Sequence, residues 1–304
     1  MTISKKEEKE ARDQQEHRGH TCTVEDGAGD KIQQMKQLIG TLNQAAKAYY
    51  QESRELMTNY EYDKLYGELE KLEAETGITL SASPTVRVGY EVLSDLPKEA
   101  HPQKMLSLDK TKDVGQLQNW LADQEGVVSW KLDGLTIVLT YEGGSLTKAV
   151  TRGNGEIGEV ITNNAKVFEN VPLRIGFQGQ LVLRGEAVIS YPDFEKINDT
   201  IADETTKYKN PRNLCSGSVR QLNNQITAQR HVRFYAFSLV SAENMEFGTR
   251  TQQFDWLAEQ GFSVVEHYTV TAQSLPDMVE RFSQKIETNI IPSDGLVLSY
   301  NNIV

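Results

Sequence analysis

GVVSWKLDGLTIVLTYEGG, residues 126–144, reads as two β-strands meeting at a corner. Val127, Val128 and Trp130 form an apolar lead-in. Leu135, Ile137, Leu139 and Tyr141 then recur at every second position, the period of a strand with one buried face. Lys131 closes the first strand, and Asp133 and Gly134 make the corner. A lysine there is either a surface ion pair with Asp133 or a functional amine. An unpaired buried cation is costly, and an amine is a nucleophile only when unprotonated, which calls for desolvation, neighbouring arginines or a metal ion. The four residues K-x-D-G do not decide between these by themselves.

Working outward, short strands are expected near 126–131, 135–142, 146–152, 180–189, 232–240, 262–270 and 294–300, with helices near 113–123, 191–203, 251–260 and 272–288. EGG and GNG look like hairpin turns, so the sheets should be mainly antiparallel. On the amino-terminal side the period becomes helical. Ile32, Met35, Leu38, Ile39, Leu42, Ala45 and Ala46 form one stripe; Tyr62, Leu65, Tyr66, Leu69 and Leu72 form a second. Thr58-x-x-Glu61 is a capping box for the second helix, and Gly77 lies just past its end. The class is therefore α+β: a small helical hairpin, then a mainly antiparallel-sheet domain. Neither GxGxxG after a first strand nor GxxxxGK[ST] occurs, which excludes the common dinucleotide and P-loop signatures.

Composition narrows the function. The chain has 304 residues, enough for about two domains. No apolar run approaches the ~18 residues of a membrane span, and the opening MTISKKEEKEARDQQEHRGH lacks the apolar core of a secretory signal. Cys22 and Cys215 are far apart, which fits a reducing cytoplasm. Residues 1–30 are charged and poor in apolar side chains, so a disordered tail is expected, and His17, His20 and Cys22 within it have no fourth ligand at zinc spacing. The net charge of −11 disfavours a surface that binds nucleic acid everywhere. Residues 205–233 are the exception: they hold Lys207, Lys209, Arg212, Arg220, Arg230 and Arg233 and no acidic residue. Their Asn, Pro, Gly and Ser content suggests a loop, and the gathered arginines suggest a phosphate site.

The decisive feature is an ordered set of motifs. KLDG (131–134) is followed by TRGNGEIGE (151–159), LRGEAVI (183–189), KNPRN with GSVRQL (209–222), RFYAFS (233–238) and SDGLVLSY (293–300); SPTVRVG (83–89) and HPQKMLSLDK (101–110) precede it. Together they resemble the NAD-dependent DNA ligases of bacteria, from about residue 36 onward. ATP-dependent ligases and capping enzymes share KxDG and a DGLV-like strand but lack the hairpin with SPTVRVG and the NPRN segment.

The resemblance implies a helical domain binding nicotinamide mononucleotide (NMN; 31–90) and an incomplete nucleotidyltransferase (ATP-grasp-related) adenylation domain (91–304). It implies NAD as nucleotide donor, Mg2+ or Mn2+ as metal, no zinc site in this chain, and nicked double-stranded DNA as a partner bound weakly by this chain alone. It implies neither a membrane partner nor an oligomer. Lys131 matches the lysine that attacks the adenylyl phosphorus. Asp133 and Arg152 match residues at the ribose, lysine or phosphate. Glu186 matches a glutamate at the ribose hydroxyls or metal, and Asp294 an aspartate at the metal. Ser107 and Leu108 match adenosine contacts, Phe237 the aromatic on adenine, and Arg212 and Arg220 the pair at adenylate and nick phosphates. Tyr49, Tyr62 and Asp63 match the surface gripping the NMN half; Tyr62 also fits the helix's apolar stripe.

Five positions depart from the family pattern: Tyr50 for histidine, Asn59 for aspartate, Ser129 for a glutamate facing adenine, Asn154 for aspartate and Ser299 for lysine. The sequence ends just after the SDGLVLSY strand, before the later ligase domains, so nick sealing by this stretch alone is not expected. Two other readings stay open: an ATP-dependent nucleotidyltransferase of the RNA-ligase or capping type, and a degenerate nucleotide-binding remnant.

Overall fold

The structure is a computed structural model that describes residues 25–51, 54–77, 79, 83–85, 96–102, 105 and 108–303. Ser107, most of SPTVRVG, and the tail with His17, His20 and Cys22 lie outside the described residues. The chain divides into two compact units, Met1–Ala45 with Met57–Arg87, and Ala46–Leu56 with Val88–Val304.

The smaller unit is the helical hairpin. Helix α1 (Glu25–Gln51) begins inside the segment expected to be disordered, and α2 spans Asn59–Thr76. Met35, Ile39, Leu42, Leu69 and Leu72 bury their side chains together, so the two sequence stripes form one core. The expected box caps α2: the Thr58 hydroxyl accepts from Glu61 N–H, and the Glu61 carboxylate accepts from Thr58 N–H at 2.8 Å. Gly77, at φ 66°, ends the helix in the left-handed conformation that favours glycine. Ala46–Leu56 groups with the larger unit, and Tyr49 goes with it.

Among the described residues the larger unit holds nine strands, β1 (Lys98–Ala100), β2 (Gly126–Leu132), β3 (Leu135–Glu142), β4 (Ser145–Thr151), β5 (Ile157–Glu159), β6 (Leu181–Val188), β7 (Arg233–Ala242), β8 (His267–Val270) and β9 (Ser293–Tyr300). They form a four-stranded sheet β4-β3-β6-β7, a three-stranded sheet β8-β2-β9 and the pair β1-β5, with antiparallel pairing in every ladder. Gly143 and Gly144, at φ 56° and 73°, close the tight β3–β4 hairpin that EGG predicted. At GNG the chain does turn back, but β4 and β5 share one bridge, Val150–Val160, and β5 pairs along its length with β1.

The seven longer strands lie close to where periodicity placed them. The three-residue β1 and β5 were not anticipated; neither is long enough to display a period. The helices of this unit are α3 (Val114–Leu121), α4 (Thr162–Ala165), α5 (Tyr191–Asp199), α6 (Pro211–Val219), α7 (Asn224–Ala228), α8 (Arg250–Glu259) and α9 (Leu275–Lys285). The basic stretch expected as a loop thus carries two helices, over about half of its length. Its Asn-Pro dipeptide is a helix start: the Asn210 side chain accepts from Asn213 N–H at 2.8 Å, and Pro211 takes the first turn, where no amide donor is needed.

The main core lies under the four-stranded sheet, where Ile137, Leu139, Tyr141, Leu181 and Leu183 meet Leu214, Cys215 and Val219 of α6. A second core fills the space between the three-stranded sheet and α3 and α9, with Trp130 edge-on to Phe282 at 4.6 Å. The sheets are joined at the β2–β3 corner and again where Val265 N–H donates to Ala236 O at 2.9 Å. The strand-end lysine therefore sits where two sheets with separate cores meet.

Candidate active site

Gly134 fixes the corner. A Cβ on it would lie 2.0 Å from the Ala187 carbonyl oxygen, so only glycine lets β3 leave this close to β6. Just before it, Asp133 N–H donates to Pro292 O at 2.9 Å, which ties the corner to the chain entering β9. The β2–β9 register places Lys131 opposite Gly295 and shifts beyond it, so Asp294 falls beside the lysine. Lys131 Nζ donates to both carboxylate oxygens of Asp294, at 2.6 and 2.7 Å. The alternative of a surface ion pair between Lys131 and Asp133 is not what forms. Asp133 instead accepts from Arg212 Nη1 at 2.9 Å, so an arginine 79 residues away reaches the KLDG corner.

Arg212 is held in the first turn of α6 by the Asn210 cap, and its guanidinium lies over the Tyr49 ring, 4.8 Å from the centroid. That is cation–π geometry. It connects two residues that the resemblance assigns to different halves of the substrate.

Glu186 stands opposite Thr136 across the β3–β6 ladder. Its Oε1 accepts from Gly134 N–H at 3.2 Å and its Oε2 from the Thr136 hydroxyl at 2.8 Å. Burial pushes its carboxyl from 4.5 up to about 7; the hydrogen bonds and the Arg212 charge oppose this, and the Asp133 charge reinforces it. Its two oxygens accept from the corner and from Thr136, and burial disfavours the charged form that a hard cation requires. Asp294 is about a third exposed and gives both oxygens to Lys131, so a cation held there would share this carboxylate with the amine. Among the described residues no group of three or more His, Cys, Asp or Glu side chains could hold a metal. Magnesium suits a single carboxylate when substrate phosphates and water complete its shell.

The other predicted residues are spread around this centre. Arg152 follows β4; its backbone N–H donates to Thr136 O at 2.9 Å. Phe237 on β7 packs against the second core, and Leu108 is 60% exposed. Tyr62 and Asp63 lie in the smaller unit: Tyr62 is half-buried, 6.3 Å from Tyr66, and Asp63 is exposed. Ser129 is buried between its strand partners His267 and Val297.

The basic stretch is not an open cationic face. Arg220 Nε donates to Glu159, a carboxylate only 2% exposed, at 2.5 Å. Arg230 binds the Tyr208 and Ser218 hydroxyls, and Arg233 pairs with Glu169 at 2.6 Å. Lys207 pairs with Glu204, and Lys209 donates to Glu55 O. The stretch holds no acid in sequence because its acids arrive from elsewhere in the fold. Arg184, which sequence reasoning did not single out, also lies near the site; its position inside LRGE was the available signal.

Lys131 thus stands where two antiparallel sheets meet, with Asp294, Asp133 and Arg212 at the same corner. The family profile for the NAD-dependent DNA ligase adenylation domain matches residues 93–304, and the profile for the DNA ligase-like, N-terminal NAD+-binding domain matches residues 29–89. The chain belongs to the NAD-dependent DNA ligase family. It is 62% identical over 275 residues to a DNA ligase of Ruminiclostridium cellulolyticum and 61% identical over 274 residues to one of Lachnoclostridium phytofermentans; each alignment covers 90% of this chain and 42% of the relative. The chain thus spans less than half the length of these curated relatives. Among solved structures, an archaeal ATP-dependent RNA ligase aligns at a TM-score of 0.41 and 13% identity, over 66% of this chain and 46% of that one. Among the described residues no helix is long and apolar enough to cross a membrane.

Proposed function

We propose that this chain carries out the first step of NAD-dependent DNA joining, transfer of the adenylyl group of NAD to its own Lys131. The amine of Lys131, once its proton has passed to Asp294 or to solvent, forms a bond to the adenylyl phosphorus, the bond from that phosphorus to nicotinamide mononucleotide breaks with its electron pair leaving on the mononucleotide, and a lysine–AMP phosphoramide remains. The observation that carries the proposal is the arrangement around Nζ: Asp294 holds the amine from β9, and Arg212 is brought to the same corner through Asp133.

In this reading Asp294 has two tasks. It orients Nζ, and it is the carboxylate on which a magnesium ion would be held. The ion, when bound, neutralises phosphate charge in the transfer. Asp133 positions Arg212, and the Arg212 charge helps to offset the pentavalent, anionic transition state. Glu186 serves the ribose hydroxyls as an acceptor and donor, not as a metal ligand. Phe237 and Leu108 contact the adenosine, as Ser107 is also proposed to do. Tyr49, Tyr62 and Asp63 take the NMN half, and the NAD+-binding profile over residues 29–89 supports NAD over ATP as donor. Arg220, already committed to buried Glu159, is proposed to act by holding TRGNGEIGE in place.

The longer relatives are DNA ligases; we propose that the adenylate passes on to nicked DNA, and a cytoplasmic location, for the protein to which this sequence belongs. The test is covalent labelling: incubation with NAD and magnesium should leave AMP on the wild-type chain and none on Lys131→Ala. Labelling by ATP in place of NAD would favour the RNA-ligase or capping-type reading.

A further inference from the structure

Two arginines on the outer face of the four-stranded sheet differ from the basic residues described above. Leu135, Ile137, Leu139 and Tyr141 of β3 point into the main core, so Thr136, Val138 and Thr140 face away from it. Register puts Arg184 of β6 beside Val138 and Val150 of β4 on its other side. Arg152, two residues beyond Val150, joins Thr136 through its backbone N–H, so its side chain leaves from the same face one level along. The two side chains therefore leave the same face of the sheet, on either side of Val138 and Val150 in register, and the charge of Arg152 acts on Arg184.

Among the described residues neither guanidinium has a carboxylate partner. Arg152 Nη2 reaches only the Met105 carbonyl, at 3.5 Å. Arg184 Nε is buried with no hydrogen-bond partner. Burial, and after it the charge of Arg152, hold Arg184 below its ordinary range, so the two cations repel one another. His101 brings no counter-charge: its Nε2 lies 3.0 and 3.2 Å from the Thr151 and Arg152 carbonyls. Glu186, next on this face of β6, commits both oxygens to Gly134 and Thr136. In a chain of net charge −11 that supplies carboxylates to Arg212, Arg220 and Arg233, this pair has none.

A partly buried cation pair with an unbonded N–H is unfavourable by itself and favourable around an oxyanion. The planar fork of guanidinium matches phosphate oxygens two at a time. We propose that Arg152 and Arg184 form a phosphate clamp, with Arg184 as a positioning residue for a phosphodiester or pyrophosphate oxyanion. The source is either the pyrophosphate of the dinucleotide or the backbone of DNA. The inference rests on the proposed adenylyl transfer for the identity of the ligand, but not for its charge.

The test compares wild type, Arg184→Gln and Arg184→Lys in three measurements: melting temperature without ligand, calorimetric binding of NAD and of inorganic pyrophosphate, and anisotropy of a nicked duplex over a potassium chloride series. Arg184→Gln should raise the melting temperature, because it removes a repelled cation; a merely structural arginine would lower it. It should also weaken at least one probe by about tenfold. Loss confined to NAD and pyrophosphate identifies the dinucleotide. Loss of duplex binding with a salt slope reduced by about 0.9 identifies DNA. Arg184→Lys keeps the charge and loses the fork, and should fall between the two. Unchanged binding of all three probes by folded Arg184→Gln, or by Arg184→Lys if the glutamine variant does not fold, overturns the clamp. A wild-type chain that binds pyrophosphate through Arg184 but never labels Lys131 overturns the adenylyl-transfer reading and leaves the clamp intact.

Discussion

Replacing Glu186 by Gln should change how stability depends on pH. The carboxyl is buried against Gly134 N–H and the Thr136 hydroxyl, and burial raises it from 4.5 to about 7. A carboxyl raised on folding holds its proton more tightly in the folded than in the unfolded chain. Its stabilising contribution is complete below the unfolded value of 4.5 and is lost as pH rises through the folded value near 7. With those two values, linkage gives a loss of about 2–3 kcal/mol between pH 5 and pH 8. Glutamine keeps the size and one acceptor but has no proton to lose. Urea unfolding at intervals from pH 5 to pH 8.5 measures the effect: wild type minus Glu186→Gln should shift in favour of the variant as pH rises, mostly above pH 5.5. Parallel curves for the two proteins would refute the reasoning, because they would mean that Glu186 is ionised in the folded state throughout.

Other predictions follow the same physical lines. Arg220→Ala strands the buried Glu159 carboxylate and should cost about 3 kcal/mol in urea unfolding; Glu159→Gln with Arg220→Ala together should cost less than the single change. Gly134→Ala places a methyl 2.0 Å from the Ala187 carbonyl oxygen and should lower the melting temperature severely or prevent soluble expression. Thr58→Ala removes the cap of α2 and should cost about 1 kcal/mol, read by hydrogen exchange confined to that helix. Asp294→Asn frees Lys131 from its bidentate partner and should reduce AMP labelling more than it reduces NAD affinity.

The longer strands and the hairpin were legible in the sequence because each displays its period over several residues. Leu135 to Tyr141 alternate without a break, and Met35, Ile39 and Leu42 fall on one helical face. Helix α6 was not legible as a helix: its composition of Pro, Asn, Ser and Gly reads as loop, and the cap at Asn210 with Pro211 decides otherwise. Within the site, motif order indicated which residues matter but not how they pair. Lys131 turned out to meet Asp294 across 163 positions, and Asp133 to meet Arg212 across 79. Such pairings depend on strand register and on the corner at Gly134, which local sequence does not display. The ion pairs of the basic stretch were hidden for the same reason: the carboxylates that neutralise Arg220 and Arg233 arrive from Glu159 and Glu169, far outside it.

The central claim is that Lys131 is the nucleophile of adenylyl transfer from NAD. The most direct measurement is the intact mass of the wild-type chain and of Lys131→Ala after incubation with NAD and magnesium. The account predicts a gain of one AMP on wild type and no gain on the variant. No gain on a folded wild-type chain, or an equal gain on Lys131→Ala, would contradict it.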